Sequence, residues 1–251
     1  MNNIEMINNK DFFDHLAEDY NRMINFENSL KNKTNNLKRF VKSKYKYALD
    51  LGCGTGADSI ALANLGLIVD AVDHSKEMIE QARKNADKVS NKIKFYSSSI
   101  TDLGNVVEES EYDIIVSLGN TLANISSDEL KELINSLSKL LSKVGVIIIQ
   151  LINFKALPNS GEYLLNKKED DSGSITRKYN ISKEDVDFII ERYDRVKNQN
   201  DVMVTKLYPH SKENFLEYAR KNGLRASFFG SLNMESYSEY TSQNLVVLLE
   251  N

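Results

Sequence analysis

The sequence predicts an α/β fold, a doubly wound, seven-stranded, mostly parallel sheet. Three observations carry this reading. Short apolar strands alternate with helix-length segments between Tyr45 and Ile152. A glycine-rich loop, Gly52-Cys53-Gly54-Thr55-Gly56, lies where the first of those strands gives way to a helix. An acidic residue, Asp73, closes the next strand about twenty residues after the loop begins, the spacing of an adenosine-binding βαβ unit. Continuous apolar strands separated by helices imply a sheet covered on both faces.

In chain order, Lys10 to Val41 has a helical rhythm: Phe12, Phe13, Leu16, Tyr20 and Ile24 recur at spacings of three and four, followed by Leu30, Leu37 and Phe40. Two helices are expected, each needing a neighbour to cover its apolar stripe. Tyr47 to Leu51 reads as a strand, Ser59 to Leu65 as a helix closed by Gly66, and Leu67 to Val72 as the strand ending at Asp73. Ser75 caps a helix to about Asp87; Ile93 to Tyr96 and Asp113 to Leu118 are further strands. Ser126 and Glu129 form a capping box for a helix from Asp128 to Leu141, and Val146 to Ile152 is the fifth strand.

After Leu157-Pro158 the pattern loosens. Ile175 to Tyr179, Val186 to Ile190 and Val202 to Leu207 alternate between polar turns, which predicts an inserted antiparallel sheet of about three strands. Ser211 caps a helix to Asn222 that Gly223 terminates, and Arg225 to Phe229 and Asn244 to Leu249 complete the core. The expected division is a helical cap (1–43), a cofactor-binding core (44–157 and 208–251) and an inserted substrate lid (158–207).

A chain of 251 residues with 41% hydrophobic and 27% charged residues can bury a core. Its net charge of -4 argues against broad salt-driven binding to nucleic acid. The longest near-apolar run, Val144 to Ile152, is about half the ~20 residues a spanning helix needs, and the first fifteen residues hold no apolar stretch of the signal-peptide kind. No membrane association and a cytoplasmic location are expected. The single cysteine, Cys53, forms no intramolecular disulfide, and His15, His74 and His210 lack ligand-like spacing, so no metal is expected.

Glycines in the loop allow a sharp turn and a close ligand approach to the backbone. Asp73 is placed to accept hydrogen bonds from ribose hydroxyls. Gly52-x-Gly54-x-x-Ala57 also satisfies the dinucleotide fingerprint, so an NAD(P)-binding oxidoreductase is a rival, as is a plain glycine turn packing helix on strand. Asp50 tilts the balance. A buried carboxylate at the strand end is costly without a partner; a pyrophosphate repels it and an ammonium pairs with it. The adenosyl ligand that carries an ammonium is S-adenosylmethionine.

At these residues the sequence resembles the class I S-adenosylmethionine-dependent methyltransferases of small-molecule type. Ala48 to Gly56 resembles the family's first motif, Val72 to Met78 its second, and Tyr112 to Val116 its fourth-strand motif. Phe13-Asp14-x-x-Ala17-x-x-Tyr20 is similar to the amino-terminal cap of many members, and Asn244 to Leu249 to the antiparallel seventh strand. The resemblance implies that Gly52, Cys53, Gly54 and Gly56 pass under the methionine moiety, with Asp50 beneath and Tyr20 either covering it or packing the cap. It implies Asp73 on the ribose, His74 and Met78 beside the adenine, and Ser99, Ile100 and Leu118 completing the cofactor site; Ser99 stands where many members carry Asp. S-adenosylhomocysteine is the implied product.

Ser117-Leu118-Gly119-Asn120-Thr121 and Asn153-Phe154 resemble segments of glycine and sarcosine N-methyltransferases, although Ile152 replaces the Arg that grips the substrate carboxylate there. Asn120, Asn153 and Tyr208 are the candidate acceptor-binding residues; Asn120, His210 and Tyr179 are the candidate catalytic ones. The motifs of adenine-modifying and pyrimidine C5 methyltransferases are absent. A small-molecule acceptor is therefore expected, an amine nitrogen ahead of a hydroxyl because no general base stands out. A non-catalytic S-adenosylmethionine-binding regulator is the remaining alternative, and the oligomeric state is open.

Overall fold

The computed structural model describes every residue except 1–3, 105, 106, 108–110 and 184. Its larger sheet is built from β2 (Tyr47–Leu51), β3 (Ile68–Asp73), β4 (Ile93–Ser97), β5 (Tyr112–Ser117), β6 (Leu141–Ile152), β11 (Arg225–Phe229) and β12 (Asn244–Glu250), in the order β11-β12-β6-β5-β2-β3-β4. β6, β5, β2, β3 and β4 run parallel, whereas β12 is antiparallel to both β6 and β11.

Alternation along the strands divides their side chains between two cores. Leu49, Leu51, Ile115, Ile147 and Ile149 face one way, onto Leu130 to Leu137 of α5 (Ser127–Leu140) and Phe215 and Tyr218 of α6 (Lys212–Lys221). Ala48, Ile114, Val116 and Ile148 face the other way, onto Ile60 to Ala63 of α3 (Ala57–Asn64) and Ile79 and Ala82 of α4 (Lys76–Asn85). The expected caps form: Ser75 accepts from Met78 N, Ser126 and Glu129 close a capping box, and Ser211 pairs likewise with Asn214.

A second sheet has the order β1-β10-β9-β8-β7. The insert supplies four antiparallel strands rather than three: β7 (Gly161–Asp170), β8 (Gly173–Ile181), β9 (Val186–Asp194) and β10 (Gln199–Leu207). β7 escaped the sequence reading because it is an edge strand exposed over much of its length, so nothing forces its residues to alternate. The amino-terminal segment is not helix alone, since β1 (Ile4–Met6) pairs parallel with β10.

The two helices of that segment are α1 (Asn9–Ile24) and α2 (Phe26–Leu37). Phe12, Leu16 and Met23 of α1 pack with Ile175, Ile190 and Met203 of the second sheet and with Met78 of α4. The partner that the apolar stripe requires is thus the insert together with α4. Among the described residues, no helix is long and apolar enough to cross a membrane.

Candidate active site

The glycine loop turns sharply back on the end of β3. Gly52 N and Cys53 N both donate to the carbonyl of Val72, at 2.8 and 3.0 Å. Gly52 has φ +71°, and a Cβ there would overlap the side chain of Thr121. Gly54 has φ +53°, and its missing Cβ leaves a gap under the Tyr20 ring, 3.6 Å from the position that carbon would take. At Gly52 only glycine gives the backbone both this hand and this clearance; at Gly54 the positive φ alone favours glycine.

Above the loop lies a cavity of about 620 Å³, walled by the cap helices and the ends of β3 and β5. Asp73 lines it with both carboxylate oxygens oriented: Gly54 N donates to Oδ2 at 2.8 Å and Ser75 N to Oδ1 at 2.9 Å. Each oxygen keeps a lone pair for a further donor. Burial raises the Asp73 pKa, and these two backbone bonds oppose that shift. His74, Met78, Ser99 and Ile100 line the wall beyond Asp73, and Tyr20, Cys53 and Leu118 the rest. The Ser99 hydroxyl is shared with Thr101, whose Oγ1 lies 2.7 Å away.

Two residues expected at the cofactor do not line this cavity. Gly56 is turned away beneath the loop, beside Ala82 and Phe95. Asp50 is 1% exposed and accepts a 2.5 Å hydrogen bond from Ser59 Oγ. Burial and the nearby charge of Asp58 push its carboxyl up to about 8. Asp58 does line the cavity and pairs with Lys33 of α2, a contact tying cap to core that the sequence reading missed.

A second cavity, about 400 Å³, adjoins the first, with Phe13, Tyr20, Gly119, Asn124 and Arg177 belonging to both walls. Asn120 and Tyr179 line it. Asn120 sits in the left-handed region (φ +75°), and its Oδ1 accepts from Ile152 N at 2.9 Å, which leaves the amide N–H groups and a second Oδ1 lone pair for a ligand. Tyr179 packs between Phe154 and Phe188 with tilted rings, and burial pushes its phenol pKa up, so it stays protonated and cannot take a proton.

Three other candidates line neither cavity. Asn153 is buried, with Nδ2 donating to the carbonyls of Glu239 and Ser242 at 2.8 Å each; it clamps the loop before β12. His210 is buried with Nε2 at 2.9 and 3.0 Å from the carbonyls of Leu122 and Ile125, and burial depresses its pKa. Tyr208 is 37% exposed, and its backbone N–H holds Ala123 O at 2.7 Å. His210 and Tyr208 both brace the turn 121–125 that forms the cavity edge. The sequence placed these residues near the strand ends, and packing turned the side chains away.

The donor set fits an adenosyl amino acid. The first cavity offers a half-buried acid for ribose hydroxyls, a glycine cradle, and two buried polar atoms, Thr55 Oγ1 and Asp58 Oδ1, without a hydrogen-bond partner among the described residues. Together with an antiparallel strand beside β6, these features are those of the class I S-adenosylmethionine-dependent methyltransferase fold. Residues 48–145 match the family model described as a methyltransferase domain.

Among curated proteins, a ribosomal protein L11 methyltransferase of Campylobacter concisus is 38% identical over 137 residues, covering 53% of this chain and 40% of that protein. A glycine/sarcosine N-methyltransferase of Aphanothece halophytica is 27% identical over 117 residues, 46% of this chain and 44% of its own. The chain spans less than half the length of either. An S-adenosylmethionine-dependent methyltransferase of Clostridium acetobutylicum superposes with a TM-score of 0.76 at 18% identity, covering 95% of this chain and 98% of that one. The amino pentose methyltransferase CalS10 of Micromonospora echinaspora, solved with S-adenosylmethionine bound, gives 0.68 at 14% identity, covering 90% and 92%. At such identities the superpositions speak for the fold.

Proposed function

We propose that this chain methylates the nitrogen of a small-molecule acceptor, using S-adenosylmethionine. One observation carries the reading: the second cavity shares part of its wall with the first and, among the described residues lining it, none is Asp, Glu or His. A hydroxyl acceptor needs a positioned base to take its proton, whereas an amine that arrives neutral can release its proton to water after reacting. When bound, S-adenosylmethionine supplies a methyl group on a sulfonium sulfur, already activated for displacement.

The protein's own contribution is binding and orientation. Asp73 would take the ribose hydroxyls, the Gly52 to Thr55 backbone would pass beneath the amino-acid end, and His74, Met78, Ser99 and Ile100 would flank the adenine. Tyr20 and Gly119, common to both cavities, would frame the passage between the ligands, and the Asn120 amide would donate to the acceptor. Holding reactants in line in this way accounts for roughly 7–11 kcal/mol of barrier lowering without a covalent intermediate. Residues 1–43 and 158–207 would together roof the site as cap and lid.

The similarity to a ribosomal protein methyltransferase covers 53% of this chain and 40% of that protein, too little to carry its acceptor over. The family match ends at residue 145, before the insert that walls the second cavity, so it speaks for the cofactor half of the site. A cavity of about 400 Å³ suits a metabolite. The test is to measure S-adenosylhomocysteine production from a panel of amines, hydroxylated metabolites and ribosomal protein. Turnover confined to amines is expected; turnover only with hydroxyl compounds or protein would refute the proposal.

A further inference from the structure

Among the described residues lining the second cavity, Arg177 is the sole charged one, and it has no counter-charge. Side chains alternate along a strand, so Ile175, Arg177 and Tyr179 share one face of β8. Ile175 and Tyr179 are buried, which makes this the inward face, and Arg177 sits between them at a position where the pattern calls for an apolar residue. Its Nε–H donates to Asn166 Oδ1 at 2.8 Å, from β7 at a register shift between Leu164 and Asn166. That bond holds one edge of the guanidinium and leaves its terminal N–H groups for the cavity.

The cations nearby are treated differently. Lys178 pairs with Glu191 and Glu162, and Arg192 with Asp19 and Asp201. Among the described residues, no carboxylate pairs with Arg177; the groups that favour its charge are the phenols of Tyr20 and Tyr179, and Lys168 adds a like charge. A partly buried guanidinium without an anion is costly to the free protein, and an incoming anion relieves that cost.

We infer that Arg177 anchors a carboxylate on the acceptor, so that the methylated amine belongs to amino-acid-like molecules. The inference rests on the second cavity being the acceptor site. A single planar fork matches a monoanionic carboxylate bidentately, and among the described residues no second cation lines that cavity to favour a phosphate dianion. Arg177 also touches the first cavity, but among the described residues of the insert it is the only one that does so. Leu165, Tyr179, Phe188 and Leu207 of the insert all face the second. The anchor differs in origin from the arginine that Ile152 replaces, since it comes from the inserted sheet rather than from the end of β6.

The test uses the full chain saturated with S-adenosylhomocysteine, titrated calorimetrically with each standard L-amino acid and with its amide. At least one free acid should bind about tenfold or more tighter than its amide. In Arg177→Gln that preference should fall to within about twofold while S-adenosylhomocysteine affinity changes by less than about threefold; Arg177→Lys, which keeps the charge without the fork, should fall between. Acids and amides binding alike to the unaltered protein would overturn the inference whatever the variants do. So would an Arg177→Gln protein that loses about tenfold in S-adenosylhomocysteine affinity but keeps the acid preference, since the guanidinium would then serve the cofactor's own carboxylate. A chain that binds no S-adenosylhomocysteine would overturn the methyltransferase proposal beneath it, a result distinct from the other two.

Discussion

Replacing Asp50 by Asn should flatten the pH dependence of stability in the cofactor-free protein. Asp50 is 1% exposed and its carboxyl is pushed up to about 8, by burial first and then by the charge of Asp58, against an ordinary aspartate near 3.9 in the unfolded chain. Between those values the folded state holds a proton that the unfolded state has released, so stability falls as pH rises, by up to about 1.4 kcal/mol per pH unit. From about pH 6 to about pH 8 the loss integrates to about 2 kcal/mol, levelling off above the folded pKa. Asn at this position can still accept from Ser59 Oγ and carries no charge to desolvate. Urea denaturation across that pH window should show the wild-type falling relative to the variant by about this amount, or about 4–8 °C in melting temperature for a domain of this size. Parallel pH profiles for the two proteins would refute the reasoning and show that Asp50 is charged in the folded state.

Asp73→Ala should weaken S-adenosylhomocysteine binding by roughly ten- to a hundred-fold, the loss of charge-assisted hydrogen bonds worth ~1.5–3 kcal/mol; equal affinity by calorimetry would count against its role at the ribose. Asn120→Ala and Asn120→Gly should both lower turnover while sparing cofactor affinity. The Ala variant should also melt lower, by about 1–2 kcal/mol of left-handed strain that Gly avoids, and a Gly variant with full turnover would move the acceptor site elsewhere. Amide exchange in residues 9–37 should slow on saturation with S-adenosylhomocysteine, because the cap lies on the cavity through Tyr20 and the Lys33–Asp58 pair; unchanged exchange would argue against a lid.

The βαβ core was legible because its determinants are local or periodic. Strands buried on both faces must be apolar throughout, and caps such as Ser126-Glu129 are written within a few residues. β7 and β1 were not legible, since one is a largely exposed edge and the other a three-residue strand defined only by its partner β10. The β6 strand also begins earlier than its apolar run suggests, at Leu141, because pairing with Tyr112 rather than hydropathy sets its start.

For the site, the sequence by itself determined the loop and the acid: Gly52, Gly54 and Asp73 are bound to one another by backbone geometry over a single βαβ unit, and no distant contact is needed to bring them together. Tertiary structure alone decided which side chains face the ligands. It turned Asn153 and His210 inward as braces, withdrew Asp50 beneath the loop, and aimed Arg177 into the second cavity. The signal for Arg177 was present, a charge between Ile175 and Tyr179 on one strand face, but a charged residue marks the solvent side or a buried site depending on what packs against that face. Here α1 and the core cover it, and that packing is a product of long-range contacts that no local pattern encodes.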